Sequence, residues 1–418
     1  MRILLISPNT ERITMPTLPL GLALVGAASR AAGHDVSFLN LMFVDAAPGA
    51  VERAAPAARP DVIGISVRNI DDQVMEGTRF LLEPTREVVA ACRRSADAPV
   101  VVGGAGYSIF PQAALAFLDA DIGVAGEGEQ SFPAVLACLE AGQDPAGLPG
   151  VFLRGRGGAR TRGTVADLDW LPAPADDAWP GGDMQEADTW VPVQSRRGCP
   201  LACSYCSTPV IEGTVTRTRS PQIVVDEIRR ATGRGFSHFY FVDNTFNVPS
   251  AYALDLCRRI SAMRLGVQWR CILYPHDVSD ELIGAMAAAG CVEASIGFES
   301  GSLPVLTRMN KRFTPGEVRR ISDGLAAHGI RRHGFLLLGG PGETAATANE
   351  SLAFAESLGL DSLKTTIGIR IYPGTPLERI AREEGQVDAG DDLLRPRFYV
   401  ARGLEDWIRS QEPSNKVQ

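Results

Sequence analysis

The chain has 418 residues, of which 45% are hydrophobic and 22% charged, and a net charge of −8; this predicts a packed protein of two or three domains and excludes a disordered one. No block of five or more basic residues occurs, which argues against nucleic acid or an anionic membrane as the main partner. The N-terminal apolar run "RILLIS" is too short for a secretory signal, and no stretch approaches the roughly 18 apolar residues of a membrane span, so a cytoplasmic protein is expected.

From the N-terminus, strand-like and helix-like runs alternate. "RILLIS" reads as a strand and "LPLGLALVGAASRAAG" as an amphipathic helix closed by Gly33. "DVSFLNL" is a strand, a helix follows near "APGAVERAA", "DVIGISV" is a strand, and a helix is predicted over roughly 73–95. "PVVVGG", "FPQAALAFL", "IGVAGEG" and "SFPAVLACLEAG" continue the rhythm. Apolar strands between amphipathic helices predict a doubly wound parallel sheet over 1–140, with a ligand crevice at the C-terminal strand ends. Residues 141–190, rich in Pro, Gly, Asp and Ala, read as a small hairpin at "GVFLRG" followed by a surface linker.

The β/α rhythm restarts at 191. Strands are predicted at 191–196, 238–243, 267–273, 292–298, 333–338 and 363–371, with helices between them that often stop at glycine. Six such units predict a partial (β/α)6 barrel over 191–385, reactive at its C-terminal strand ends. Residues 386–418 read as a short C-terminal segment containing Trp407, ending in a frayed "EPSNKVQ". The fold class is therefore α/β: a doubly wound Rossmann-like domain, a partial barrel and a short tail.

Of eight cysteines, those at 92, 138, 257, 271 and 291 sit singly in apolar segments and read as small buried hydrophobes. The other three cluster in "RRGCPLACSYCSTP", with Cys199, Cys203 and Cys206 spaced C-x3-C-x2-C. Three thiolates can hold three irons of a [4Fe–4S] cluster and leave the fourth open. A structural zinc completed by Cys257, Cys271 or His238, or a chance cluster, would give the same spacing.

The loop resembles the signature of the radical SAM superfamily, C-x3-C-x-[aromatic]-C, with Tyr205 at the aromatic position. "FYFVDNTF", "ASIGFESGS", "LLLGGPGET" and "YPGTPLE" resemble later motifs of that superfamily, in the right order. The resemblance implies that S-adenosylmethionine (SAM) chelates the open iron through its amino and carboxylate groups. It further implies Tyr205 near the adenine, Asp243 and Asn244 near the polar end of SAM, and Glu299 on the ribose hydroxyls. Gly339 and Gly340 would let backbone approach the ligand. In the alternative, Asp243 only caps the next helix and the glycines only turn the chain.

The first domain resembles the cobalamin-binding domain of B12-dependent radical SAM enzymes, on "TLPLGLALVGAASRAAGHDV", "DVIGISV", "PVVVGGAGYSIFP" and "GVAGEGEQSF". Gly103, Gly104, Gly126, Glu127, Gly128 and Glu129 are the implied cobalamin contacts. A flavodoxin-like or inert Rossmann-like domain would carry similar loops. Many cobalamin domains carry D-x-H-x-x-G after the first strand, but "SPNTERITMPTLPLG" has no histidine, and His34 lies beyond the first helix. Cobalamin is thus expected without a protein histidine on cobalt. Arg68, just after the third strand, is the candidate for its lower face, unless "RNIDD" is only an Arg–Asp surface pair.

The expected function is a cobalamin-dependent radical SAM methyltransferase. It would methylate an unactivated carbon of a small molecule through a 5′-deoxyadenosyl radical and methylcobalamin. An external flavodoxin- or ferredoxin-like donor is implied; nucleic acid and membrane partners are not. The alternatives are a B12-dependent oxidative cyclase or ring-rearranging enzyme, and a non-catalytic cofactor-binding regulator.

Overall fold

The structure, a computed structural model, describes residues 1–11, 18–44, 46–158, 161–178 and 189–411. Part of the expected surface linker and the C-terminal "EPSNKVQ" lie outside the described residues.

The first half runs β1 (Arg2–Ser7), α1 (Leu20–Ala31), β2 (Asp35–Asn40), α2 (Ala47–Ala58), β3 (Val62–Ser66), α3 (Leu82–Ser95), β4 (Val100–Gly103), α4 (Ala105–Ile109), α5 (Pro111–Leu118), β5 (Ile122–Val124) and α6 (Gly128–Glu140). The strands lie in the order β2-β1-β3-β4-β5, all parallel. Alternate residues serve opposite faces. Ile3, Leu5, Val62 and Val101 pack with Phe132 of α6, whereas Leu4, Ile6, Ile63 and Val102 face α2, α3 and α5. Burial on both faces explains the continuous apolar runs seen in the sequence.

The hairpin predicted at "GVFLRG" forms, as β6 (Val151–Leu153) and β7 (Gly157–Gly158). It does more than lead into a linker: β6 pairs antiparallel with β5 and extends the first sheet. Nor is the segment after it wholly superficial. Val165, Leu168 and Leu171 form a small buried cluster, and the Val165 N–H donates to Glu127 at 2.5 Å.

The second half runs β8 (Val191–Val193), β9 (Arg196–Arg197), α7 (Thr208–Glu212), β10 (Arg217–Thr218), α8 (Pro221–Gly233), β11 (His238–Phe241), α9 (Ser250–Ala262), β12 (Gln268–Leu273), α10 (Asp280–Ala288), β13 (Cys291–Glu299), α11 (Leu303–Arg308), α12 (Pro315–Ala327), β14 (Arg331–Leu338), α13 (Ala345–Ser357), β15 (Ser362–Ile367), β16 (Ile369–Arg370), α14 (Pro376–Glu383), β17 (Phe398–Tyr399) and α15 (Glu405–Gln411). Six of these strands form one parallel sheet in the order β15-β14-β13-β12-β11-β8, the predicted partial barrel. Along β13 and β14, fully buried residues alternate with partly accessible ones. Phe298, Leu336 and Leu338 thus face the helices, while Glu299, Phe335 and Leu337 face the lumen.

Three segments differ from expectation. The helix expected from 73 starts at Leu82. Before it, 71–81 forms a strap closed by the Asp71–Phe80 bridge. Asp71 and Asp72 accept from the N–H groups of Gln73 and Val74, and these local turns compete with the helix. The first barrel strand stops at Val193, and a separate pair, β9–β10, carries the two arginines before the cysteine loop. The last predicted strand, 363–371, is broken at Gly368, which takes φ +77°; β16 leaves the barrel and pairs with β17 of the C-terminal segment. That segment is docked rather than loose, with Leu393, Tyr399 and Leu404 buried. No helix among the described residues is long and apolar enough to cross a membrane.

Candidate active site

Two cavities lie where the C-terminal strand ends of the two sheets face each other. The first has a volume of about 500 Å3 and is lined by Ser7, Ser66, Arg68, Gly103 and Gly104 from the first sheet. Gly126, Glu127, Gly128 and Glu129 complete that side, and Pro192, Gln194 and Asn244 of the barrel close the other. All seven residues implied for cobalamin therefore line one space. The second cavity, about 410 Å3, occupies the barrel lumen and holds Tyr205, Glu299, Phe335 and Leu337. Gln73 of the strap and Tyr372 line both cavities.

The cysteine loop spans the gap between β9 and α7. Gly198 opens it at φ +84°, and a Cβ there would meet the Val215 carbonyl oxygen at 2.1 Å, so only glycine fits. The loop is pinned on both sides. Glu212 accepts from Gly198 N–H at 2.9 Å and from Asn244 Nδ2 at 2.7 Å. Ser204 N–H donates to Met309 O, and Leu377 N–H to Ser204 O. Cys199 is buried and Cys203 and Cys206 are half-buried. Among the described residues no three His, Cys, Asp or Glu side chains converge as they would around a single metal ion. The zinc alternative is not supported by its proposed fourth ligands. Cys257 and Cys271 lie together in the core with thiols pushed up by burial, and His238 begins β11, at the opposite end from the loop.

The donor set fits an iron–sulfur group. Besides three thiols on one braced loop, the site holds a buried guanidinium, that of Arg196, whose Nε, Nη1 and Nη2 all lack hydrogen-bond partners. Such a group calls for a nearby anion.

Around Tyr205 the structure assembles a triad. The Tyr205 hydroxyl donates to Glu299 Oε1 at 2.9 Å, and Lys311 Nζ donates to the same oxygen at 3.2 Å. Burial opposes the charge on Lys311, but Tyr205, Glu299 and Cys203 outweigh it and raise its pKa. The ammonium also lies 5.2 Å from the Tyr205 ring centroid. Sequence reading missed Lys311; its signal was its rarity, one of three lysines among 41 basic residues.

Asp243 and Asn244 divide. Asp243 is buried and does not cap the next helix. It accepts from Ser195 N–H at 2.8 Å, Ser195 Oγ at 2.5 Å and Arg196 N–H at 3.2 Å, so it braces the approach to the cysteine loop. Asn244 faces the first cavity beside Thr208, which in turn contacts Cys206 Sγ at 3.3 Å. Gly339 and Gly340 are buried, and their N–H groups donate to Glu343 at 2.5 and 3.1 Å.

In the first cavity, Glu127 and Glu129 are engaged by the barrel. Arg217 meets Glu127 at 2.6 Å; Arg197 meets Glu129 at 2.6 Å and Glu127 at 3.5 Å. These buried pairs clamp the two domains beside the cysteine loop. A Cβ on Gly104 would meet Val67 O at 2.6 Å, and one on Gly126 would meet Gly163 O at 2.6 Å, so chain packing alone requires glycine at both. Arg68 lines the cavity with an exposed side chain, and the protein packed around it lowers its pKa by desolvation. It makes no hydrogen bond or ion pair with another described residue, so the Arg–Asp surface pair does not form. Asp71 pairs instead with Arg370, and Asp72 with Arg79. His34 sits by the N-terminal amine, 3.4 Å away, at the far end of the sheet from the cavity.

A doubly wound domain whose crevice faces a partial barrel with a three-cysteine loop defines a radical SAM enzyme carrying an added cofactor domain. Residues 7–136 match the B12 binding domain and residues 193–355 the radical SAM superfamily. The chain belongs to the cobalamin-dependent radical SAM enzymes. It is 27% identical over 390 residues to an uncharacterized methyltransferase of Pyrococcus horikoshii, covering 90% of this chain and 82% of the relative. It is 24% identical over 454 residues to tryptophan 2-C-methyltransferase of Streptomyces laurentii, covering 91% and 74%. Among solved structures it resembles the radical SAM methyltransferase TsrM of Kitasatospora setae with cobalamin and a [4Fe–4S] cluster bound. The TM-score is 0.82 at 25% identity, over 92% of this chain and 75% of that one.

Proposed function

We propose that the chain is a cobalamin-dependent radical SAM methyltransferase that methylates an unactivated carbon of a small molecule. The observation that carries this reading is the pair of facing cavities with Gln73 and Tyr372 as common walls. Similarity to proteins named methyltransferases supports it. Bound cobalamin supplies a cobalt that can accept and pass on a methyl group, and the reduced cluster supplies the electron that cleaves SAM to a hydrogen-abstracting radical.

The protein's part is to hold and shield. Cys199, Cys203 and Cys206 would ligate three irons of the cluster, leaving the fourth open to SAM. Tyr205 lies against the adenine and Glu299 accepts from the ribose. Asp243 stiffens the loop, Asn244 would serve the polar end of SAM, and the glycines of the Gly339–Gly340 turn would let backbone come close to the ligand. Arg68, Gly103, Gly104 and the 126–129 turn would hold cobalamin, with Arg68 the candidate to face it where no histidine lines the cavity. A small-molecule substrate held between the two centres would meet both without leaving. A flavodoxin- or ferredoxin-like protein supplies electrons.

Anaerobic turnover with methyl-labelled SAM and candidate small molecules tests this. The expected products are 5′-deoxyadenosine, S-adenosylhomocysteine and labelled, methylated product at roughly 1:1:1. Substrate consumed with deoxyadenosine but no methyl transfer would instead mean cyclisation or rearrangement.

A further inference from the structure

Arg196 is 3% exposed, and none of its three guanidinium nitrogens has a hydrogen-bond partner. Its neighbours in the chain and in space are treated differently. Arg197 is paired with Glu129, Arg217 with Glu127, and Arg219 with Glu227. Arg370, equally buried, pairs with Asp71 and donates to the carbonyl oxygens of Ile371 and Leu393. A buried guanidinium whose nitrogens make no hydrogen bond is costly, so it marks a place where the folded chain can take up a further opposite charge.

The groups that face Arg196 are Asp243, Tyr252, Cys199 and Cys271. Asp243 offsets part of the charge, but its oxygens are taken by three hydrogen bonds from Ser195 and the Arg196 backbone rather than by the guanidinium. Tyr252 donates its hydroxyl to the carbonyls of Ser195 and Arg219, and burial keeps it a neutral phenol. Cys271 is a neutral thiol in the core. Cys199 remains, three residues along the chain, and it becomes a thiolate when it binds iron.

We propose that the Arg196 guanidinium is the built-in counter-charge of the iron–sulfur cluster, stabilising its reduced state and its retention by the loop. This rests on the cluster reading of Cys199, Cys203 and Cys206. Reduction adds a negative charge to the cluster, so a fixed nearby cation favours the reduced form and raises the potential. Arginine suits the role because its charge is permanent and its guanidinium is only weakly hydrated, so burial costs it less than it would a lysine ammonium. In the cluster-free chain Asp243 is the carboxylate that faces it, and it makes no hydrogen bond to the guanidinium.

Arg196→Met removes the charge and keeps the bulk; Arg196→Lys keeps the charge. Redox titration of the reconstituted cluster, followed by paramagnetic resonance without SAM, should show a shift in R196M. At the wild-type midpoint its reduced-to-oxidised ratio should fall about tenfold, equivalent to ~59 mV for one electron. R196K should stay near wild type. R196M should also lose iron to a chelator severalfold faster. If R196M is not recovered folded, Arg196→Gln gives the same comparison. Full iron with an unmoved midpoint overturns the role of Arg196 alone. A wild-type chain that takes up no iron overturns the cluster reading and this inference with it.

Discussion

Arg68 lines the first cavity just beyond β3, where a cation can face bound cobalamin, and no carboxylate among the described residues pairs with it. The chain has five histidines, and none of them lines that cavity. The Co(II) form of the bound cofactor should therefore show no nitrogen superhyperfine splitting from an axial ligand. Arg68→Ala should alter the cobalt spectrum; an unchanged spectrum would place Arg68 away from the metal. A second residue-scale expectation concerns Glu343. Burial pushes its carboxyl above the ordinary 4.5, against the Gly339 and Gly340 N–H groups that favour the anion. The folded chain thus holds this proton more tightly than the unfolded one, and stability falls as pH rises from about 4.5 through the raised value. Glu343→Gln keeps an acceptor for both glycines and loses that slope. Its melting temperature should gain on wild type as pH increases; a gain that shrinks with pH would show the carboxylate to be stabilising. The three cysteines were legible because their chemistry is local and spaced along one loop. Lys311 and Arg196 were not, because what distinguishes them is whom they meet or fail to meet, and residue spacing does not carry that.

The strap at 71–81 is the element that most changes the picture of the site. As a helix it would have capped the first domain; as a strap it brings Gln73, Val74, Met75 and Glu76 to the barrel cavity. Its anchor is the buried Asp71–Arg370 pair at 2.8 Å, with side chains 1% and 3% exposed. Asp71→Ala leaves that arginine buried and unpaired and should cost about 3–5 kcal/mol in denaturant unfolding. Asp71→Ala combined with Arg370→Met should recover most of the loss; a double variant as unstable as the single would mean the pair is not the anchor. The apolar strands and most helices of both halves were readable from their periodicity. The strap was not, because its Asp–backbone turns fall in a segment whose composition also suits a helix. The break at Gly368 was equally hidden, since β16 leaves the barrel only to meet β17, far along the chain.

At the scale of the molecule, the two domains are joined by more than a linker. Glu127 and Glu129 reach from the first turn of α6 and the residue before it to Arg217 and Arg197, and the latter lies two residues before Cys199. The carboxylates expected to touch cobalamin thus also fix the cofactor domain against the cysteine loop, which holds the two cavities face to face. Domain order and fold class were legible because each half repeats one β/α unit; the clamp was not, because it pairs residues from separate domains. The central claim is that one chain holds both cofactors. Its most direct measurement is the metal content of the anaerobically reconstituted chain beside a Cys199→Ala, Cys203→Ala, Cys206→Ala variant. Wild type should carry about four irons and about one cobalt, and the variant the cobalt without the irons. A wild-type chain that retains no cobalt, or a variant that keeps its iron, would contradict the account.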